Sequence, residues 1–167
     1  MPTTVARAAV GIYHTRGNAA ARRYLQNRLG GWLNHSNPSM AGNARNTVDG
    51  LAYYVASDIA DGRPMLELAR TTTIALPSGA VDVRIDVLLD DPPGVAGRVV
   101  LWDGPDFHPN TAPVMAAVYA QALQALHPEL TATTIGIWQA RRGRLAEVDV
   151  PAALRQLPAA DAVRSRL

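Results

Sequence analysis

Two residue types are missing from this 167-residue chain: it has no cysteine and no lysine. Without cysteine there is no disulfide, no thiolate-bound zinc, no iron–sulfur cluster and no thiol nucleophile. Without lysine, all 16 basic residues are arginines. Any mechanism that needs an amine base, a Schiff base or a P-loop lysine is therefore excluded. No apolar run approaches the ~20 residues that would span a membrane. Residues 1–15 lack the basic-then-apolar layout of a signal peptide, so the expected address is cytoplasmic. There is also no Gly-rich phosphate loop, no G-x-S-x-G and no H-E-x-x-H.

What is present describes a folded chain. Hydrophobic residues make up 48% and charged residues 18%, which suits a globular domain and not a disordered tail. The length predicts a single domain over residues 1–167. Within it we expect a basic helical segment (1–47), a core (48–150) and a helical tail (151–167). The net charge of +2 is unevenly spread. Residues 1–48 carry six arginines and no acid, and residues 49–91 carry eight acids against three arginines. Residues 92–129 have a net charge of −2 and residues 130–167 of +3. An acidic middle framed by basic ends suggests an anion-binding surface near an acidic site; ordinary solvated charge is the other reading. Arg16, Arg22, Arg23, Arg28 and Arg45 are the candidate nucleic-acid contacts.

Periodicity gives the elements. A short helix is expected over 4–13, broken at Gly17-Asn18, with Asn18 capping a second helix to Leu33. Residues 34–46, rich in Asn, Ser, Gly and Pro, read as a loop. Leu51, Val55 and Ile59 mark a helix over 48–61, stopped by Gly62. Strands are expected over 70–76, 80–89, 98–102, 131–139 and 144–150. In the second, Val81, Val83, Ile85 and Val87 alternate with Asp82, Arg84 and Asp86. A helix over 111–126 should turn Met115, Val118, Ala122 and Leu126 inward. The tail is helical with an interruption near Pro158. Three antiparallel strands followed by a helical crossover imply an α/β fold with a mixed central sheet.

Two carboxylates stand out. Asp86 lies near the end of one strand and Asp103 at the end of the next. Neighbouring strand ends can bring such acids together around a hard cation, Mg²⁺ or Mn²⁺. Alternatively, Asp86 pairs with Arg84 or Arg98, and Asp103 opens the turn Asp103-Gly104-Pro105. The remaining polar candidates are weaker. His14 and His35 have no ligand spacing and read as surface residues, His127 reads as a helix terminus, and Trp32 and Trp138 as core or rim.

The order helix, three strands, helix, strand resembles the αβββαβ core of the PD-(D/E)XK nuclease superfamily, and within it the RecB-like and Cas4-like branch. Val83-Arg84-Ile85-Asp86-Val87-Leu88 is similar to that branch's G-x-I-D-x-I strand. Val99-Val100-Leu101-Trp102-Asp103 resembles the strand that ends in the second acid, and Tyr119 the tyrosine of the following helix. The likeness covers residues 50–150, with extra N-terminal helices outside it. It implies Asp86 and Asp103 as catalytic, metal-binding acids of a nuclease. The departures are specific. The family lysine falls on Pro105, the helix glutamine on Met115, the histidine four residues after the helix glycine on Tyr54, and the strand glycine on Arg84. His108 as base or ligand and Asp106 as a third oxygen ligand would be a repair; a turn-rich loop with an exposed histidine is the other reading. The expectation is a nuclease-like, catalytically degenerate protein that binds nucleic acid or a protein partner, a second copy included. The alternatives are an active Mg²⁺-dependent nuclease with a migrated catalytic group, and an unrelated α+β protein binding a small molecule or a protein.

Overall fold

The computed structural model describes residues 2–102 and 111–164. The chain opens with three helices. Gly17, at φ 82, separates α1 (Pro2–Arg16) from α2 (Asn18–Leu33). It is Gly17, and not Asn18, that caps α2, with no side-chain cap bond. The expected loop over 34–46 shrinks to residues 34–37, because α3 runs from Pro38 to Asp61. Its start is well specified. Asn37 accepts a hydrogen bond from Ser39 N at 2.9 Å, and Pro38 occupies the first turn, where a missing N–H costs nothing. Ala41, Ala44, Thr47, Leu51, Tyr54 and Val55 then form its buried stripe. Ile59, expected on that stripe, is exposed, and Gly62 ends the helix at φ 70.

The remaining elements are β1 (Met65–Leu76), β2 (Gly79–Asp91), β3 (Gly94–Leu101), α4 (Ala112–Leu126), β4 (Thr131–Gln139), β5 (Arg144–Asp149), α5 (Val150–Leu154) and α6 (Leu157–Arg164). The break in the tail falls at residues 155–156, just before Pro158. The strands make one sheet in the order β1-β2-β3-β4-β5. β1, β2 and β3 pair antiparallel. β4 runs parallel to β3: Thr133 Oγ1 donates to Val95 O near their beginnings, and Ala140 N to Leu101 O at their ends. The fold is thus α/β with a mixed, open five-stranded sheet. Its middle strand, β3, is buried from Gly94 to Val100, as a continuous apolar run demands.

Helix α4 packs by its alanines. Ala112, Ala116, Ala117, Ala120, Ala122 and Leu123 are buried, whereas Met115, Val118 and Leu126, expected inside, are half-buried. Small side chains let the helix axis lie close to β1 and β2, which it touches along with α5 and α6. The larger residues are left at the flanks. His127 does end this helix.

Two compact units divide the chain. The first comprises Met1–Gly62, Val100–Gly104 and Trp138–Leu145. Its helices are joined to one another and to the end of β3 by polar bonds. Arg7 Nε donates to Val100 O at 3.2 Å, and Tyr13 OH to Asp58 Oδ2 at 2.8 Å. His14, expected at the surface, is half-buried instead, with Nε2 2.8 Å from Tyr54 OH. Tyr54 lies against Trp138, ring centroids 4.9 Å apart. The second unit comprises Arg63–Val99, Pro105–Ile137 and Ala146–Leu167. There Arg63, just before β1, ties β2, β4 and β5 together: Nη1 meets Asp91 Oδ2 and Thr134 Oγ1, and Nη2 meets Glu147 Oε1.

Candidate functional site

Asp86 is the one proposed catalytic acid among the described residues. It sits on β2, where the alternation of exposed and buried positions gives way to unbroken burial from Ile85 to Leu89. The residue is 5% exposed. Arg84, two residues earlier and so on the same face of the strand, donates Nε to Asp86 Oδ1 at 2.8 Å. Arg84 itself is half-exposed, so the carboxylate is buried beneath a guanidinium that reaches water. Of the readings open from sequence, the ion pair with Arg84 is the one described. Arg98, the other partner considered, is fully buried on β3, where its register partner on β2 is Val87.

The backbone across from Asp86 is unusual. In the β1–β2 register Leu68 faces Val87 and Arg70 faces Ile85, which leaves Ala69 opposite Asp86. Ala69 has φ 56, a left-handed conformation in an exposed alanine. That conformation costs a residue with a Cβ about 1–2 kcal/mol. Glycine would relieve it while losing about 0.5–1 kcal/mol of chain entropy. Ala69→Gly is therefore expected to be neutral or mildly stabilising in urea denaturation. Ala75→Gly, exposed on the same strand, is expected to cost about 0.5–1 kcal/mol. Equal losses for both substitutions would contradict the strain at Ala69.

Asp103, Asp106 and His108, and with them Pro105, lie outside the described residues. The expected approach of Asp86 to Asp103 is therefore not described. A hard divalent cation such as Mg²⁺ takes about six oxygen donors. Asp86 supplies one carboxylate, already holding a guanidinium. Among the described residues no group of three or more His, Asp or Glu side chains could hold a metal ion. Of the family positions that depart from the pattern, Met115 is half-buried on α4, and Tyr54 is buried on α3 with its hydroxyl on His14.

The five candidate nucleic-acid contacts fare differently. Arg16 at the end of α1, Arg22, Arg23 and Arg28 on α2, and Arg45 on α3 are all exposed. All five belong to the first unit, which holds nine arginines against four aspartates, a net charge of +5. The second unit holds seven arginines against ten acids, net −3. Charge asymmetry along the sequence thus becomes charge asymmetry between units. Arg7 is the exception among the N-terminal arginines, half-buried and engaged with a backbone carbonyl.

Sequence reasoning passed over two features. One is the Arg63 hub, whose partners are scattered over 84 positions of sequence and carry no local signal. The other is the turn Arg141-Arg142-Gly143-Arg144, legible as a turn but not as a contributor of charge to the helical unit. No helix among the described residues is long and apolar enough to cross a membrane. No family model matches the chain, and neither does any curated protein.

Proposed function

We propose that this protein binds nucleic acid through the arginine-bearing surface of its helical unit, as a catalytically degenerate relative of the PD-(D/E)XK nucleases. The observation that carries the reading is the common exposure of Arg16, Arg22, Arg23, Arg28 and Arg45 within one unit of net charge +5. Guanidinium groups bind phosphate oxygens in a bidentate fork, and each such contact releases counterions from the nucleic-acid backbone. The nuclease half of the reading rests on the motif around Asp86 and on the resemblance in element order. Its degenerate half rests on Pro105 and Met115, where that family's lysine and glutamine would stand. Proline cannot polarise a water or stabilise charge at phosphorus. One missing stabilising donor typically costs ~10²–10³ in rate.

Salt titration tests the binding. Five phosphate contacts on duplex DNA give a slope of log affinity against log salt of about −4.5. Raising NaCl from about 50 to about 200 mM is then expected to weaken binding by about 10²–10³, read by fluorescence anisotropy. Replacing the five arginines by glutamine should flatten that slope. No binding at low salt, or an affinity indifferent to salt, would remove the reading. Mg²⁺- or Mn²⁺-dependent cleavage that disappears in Asp86→Ala would replace it with the active-nuclease reading.

A further inference from the structure

The turn between β4 and β5 brings three more arginines to the helical unit: Arg141, Arg142 and Arg144, all exposed. Gly143, between them, has φ +57, and its backbone lies against α3. A Cβ placed on Gly143 would stand 3.8 Å from Tyr53 Cβ and 3.9 Å from Tyr53 Cγ. The arginine turn is thus seated at the base of the Tyr53 side chain. Tyr53 is 47% exposed. A flat aromatic ring stands half in water, flanked by a turn carrying three guanidinium groups.

A single exposed aromatic residue is ordinary and has no meaning alone. A ring held beside phosphate-binding groups is different, because it supplies both elements of single-strand recognition. The π-face gives an unpaired base something to stack on, and the guanidinium groups hold the flanking phosphates. A duplex keeps its bases stacked on one another and offers Tyr53 no free face. An acidic polypeptide would be held by the charges and gain little from the ring. Asp49, one helical turn before Tyr53, is also exposed.

We infer that Tyr53 with Arg141, Arg142 and Arg144 forms a subsite for an unpaired nucleobase and its phosphates, so that the protein prefers single-stranded over duplex nucleic acid. The inference rests on the nucleic-acid reading above and names its substrate class. The test uses the full chain with a short fluorescent oligothymidine and a duplex of equal length, in low salt. Tyr53→Ala is expected to weaken oligothymidine binding by about fivefold or more and to leave duplex binding unchanged. Tyr53→Phe, which keeps the ring, should retain the single-strand affinity. Arg141→Gln with Arg142→Gln should weaken both probes and flatten the single-strand salt slope by about 1.4. Loss of single-strand affinity in Tyr53→Ala with rescue in Tyr53→Phe supports the subsite. Unchanged affinity in Tyr53→Ala, an equal loss for both probes, or full displacement by polyglutamate that is itself insensitive to Tyr53→Ala overturns it. If Tyr53→Ala has no effect while glutamine at Arg16, Arg22, Arg23, Arg28 and Arg45 abolishes binding, the subsite falls and the nucleic-acid reading stands. A wild-type protein that binds neither probe removes both.

Discussion

Gly50→Ala is expected to cost this protein about 3 kcal/mol of stability, the upper end of what overpacking normally costs. The reason is a backbone-to-backbone approach. A Cβ on Gly50 would lie 2.2 Å from the carbonyl oxygen of Ala140 and 3.2 Å from its carbon. A side chain in that position could rotate away, but a carbonyl at the end of a sheet strand cannot move without disturbing its ladder. At the size of this chain the loss corresponds to a fall of about 6–12 °C in Tm. The control is Gly42→Ala in the same helix, where no atom of the described residues lies within 4 Å of the new Cβ. There alanine should add about 0.5–1 kcal/mol through helix propensity. Opposite signs for two identical substitutions, separated by about two helical turns, would be read directly from urea midpoints. A Gly50→Ala protein as stable as the wild type would show that α3 does not pack on Ala140 as described.

Trp138 should be the most costly large side chain to truncate. It is 1% exposed, and its ring lies 4.9 Å from that of Tyr54. Removing a fully buried tryptophan typically costs about 3–5 kcal/mol, lost transfer energy plus the cavity left behind. Its Nε1 is also buried, with no hydrogen-bond partner among the described residues. An orphaned buried donor carries a penalty of about 1–3 kcal/mol. Trp138→Phe removes that donor along with part of the volume, so the two changes oppose each other. Expected losses are therefore about 4 kcal/mol for Trp138→Ala and near 1 kcal/mol for Trp138→Phe. Guanidinium denaturation of the two variants checks the gap. Similar large losses in both would mean that the indole nitrogen is bonded, not orphaned.

The parts of this fold that were legible in the sequence are those governed by a single strong period. β4 appears at its expected limits, 131–139, because a run of Thr and Ile residues admits little else. The alternation from Val81 to Val87 gave β2, and Gly62 marked the end of α3. Composition misled where it competed with period. Residues 38–47 are full of turn formers, yet Ala41, Ala44 and Thr47 already carry the helical stripe. In α4 the eye follows Met115 and Leu126, but close approach to a sheet selects alanine. At the candidate site, exposure of the arginines followed from their charge. That Arg84 partners Asp86 was legible, since strand periodicity puts it on the same face. Nothing local could mark Tyr53, because its neighbours in the turn are 88 or more positions away in sequence. Its exposure depends on which of two adjacent tyrosines, Tyr53 or Tyr54, turns toward Trp138.

The way the helical unit is assembled from separate stretches of chain has a consequence for its birth on the ribosome. Tyr54 is synthesised 84 residues before the tryptophan it packs against. At translation rates of roughly 5–20 residues per second, the part of α3 that meets Trp138 waits roughly 4–17 s uncovered. Helix formation itself takes about a microsecond. The three nascent helices can pack on one another early, but the part of α3 that Trp138 covers stays open during that interval to chaperones and to neighbouring chains.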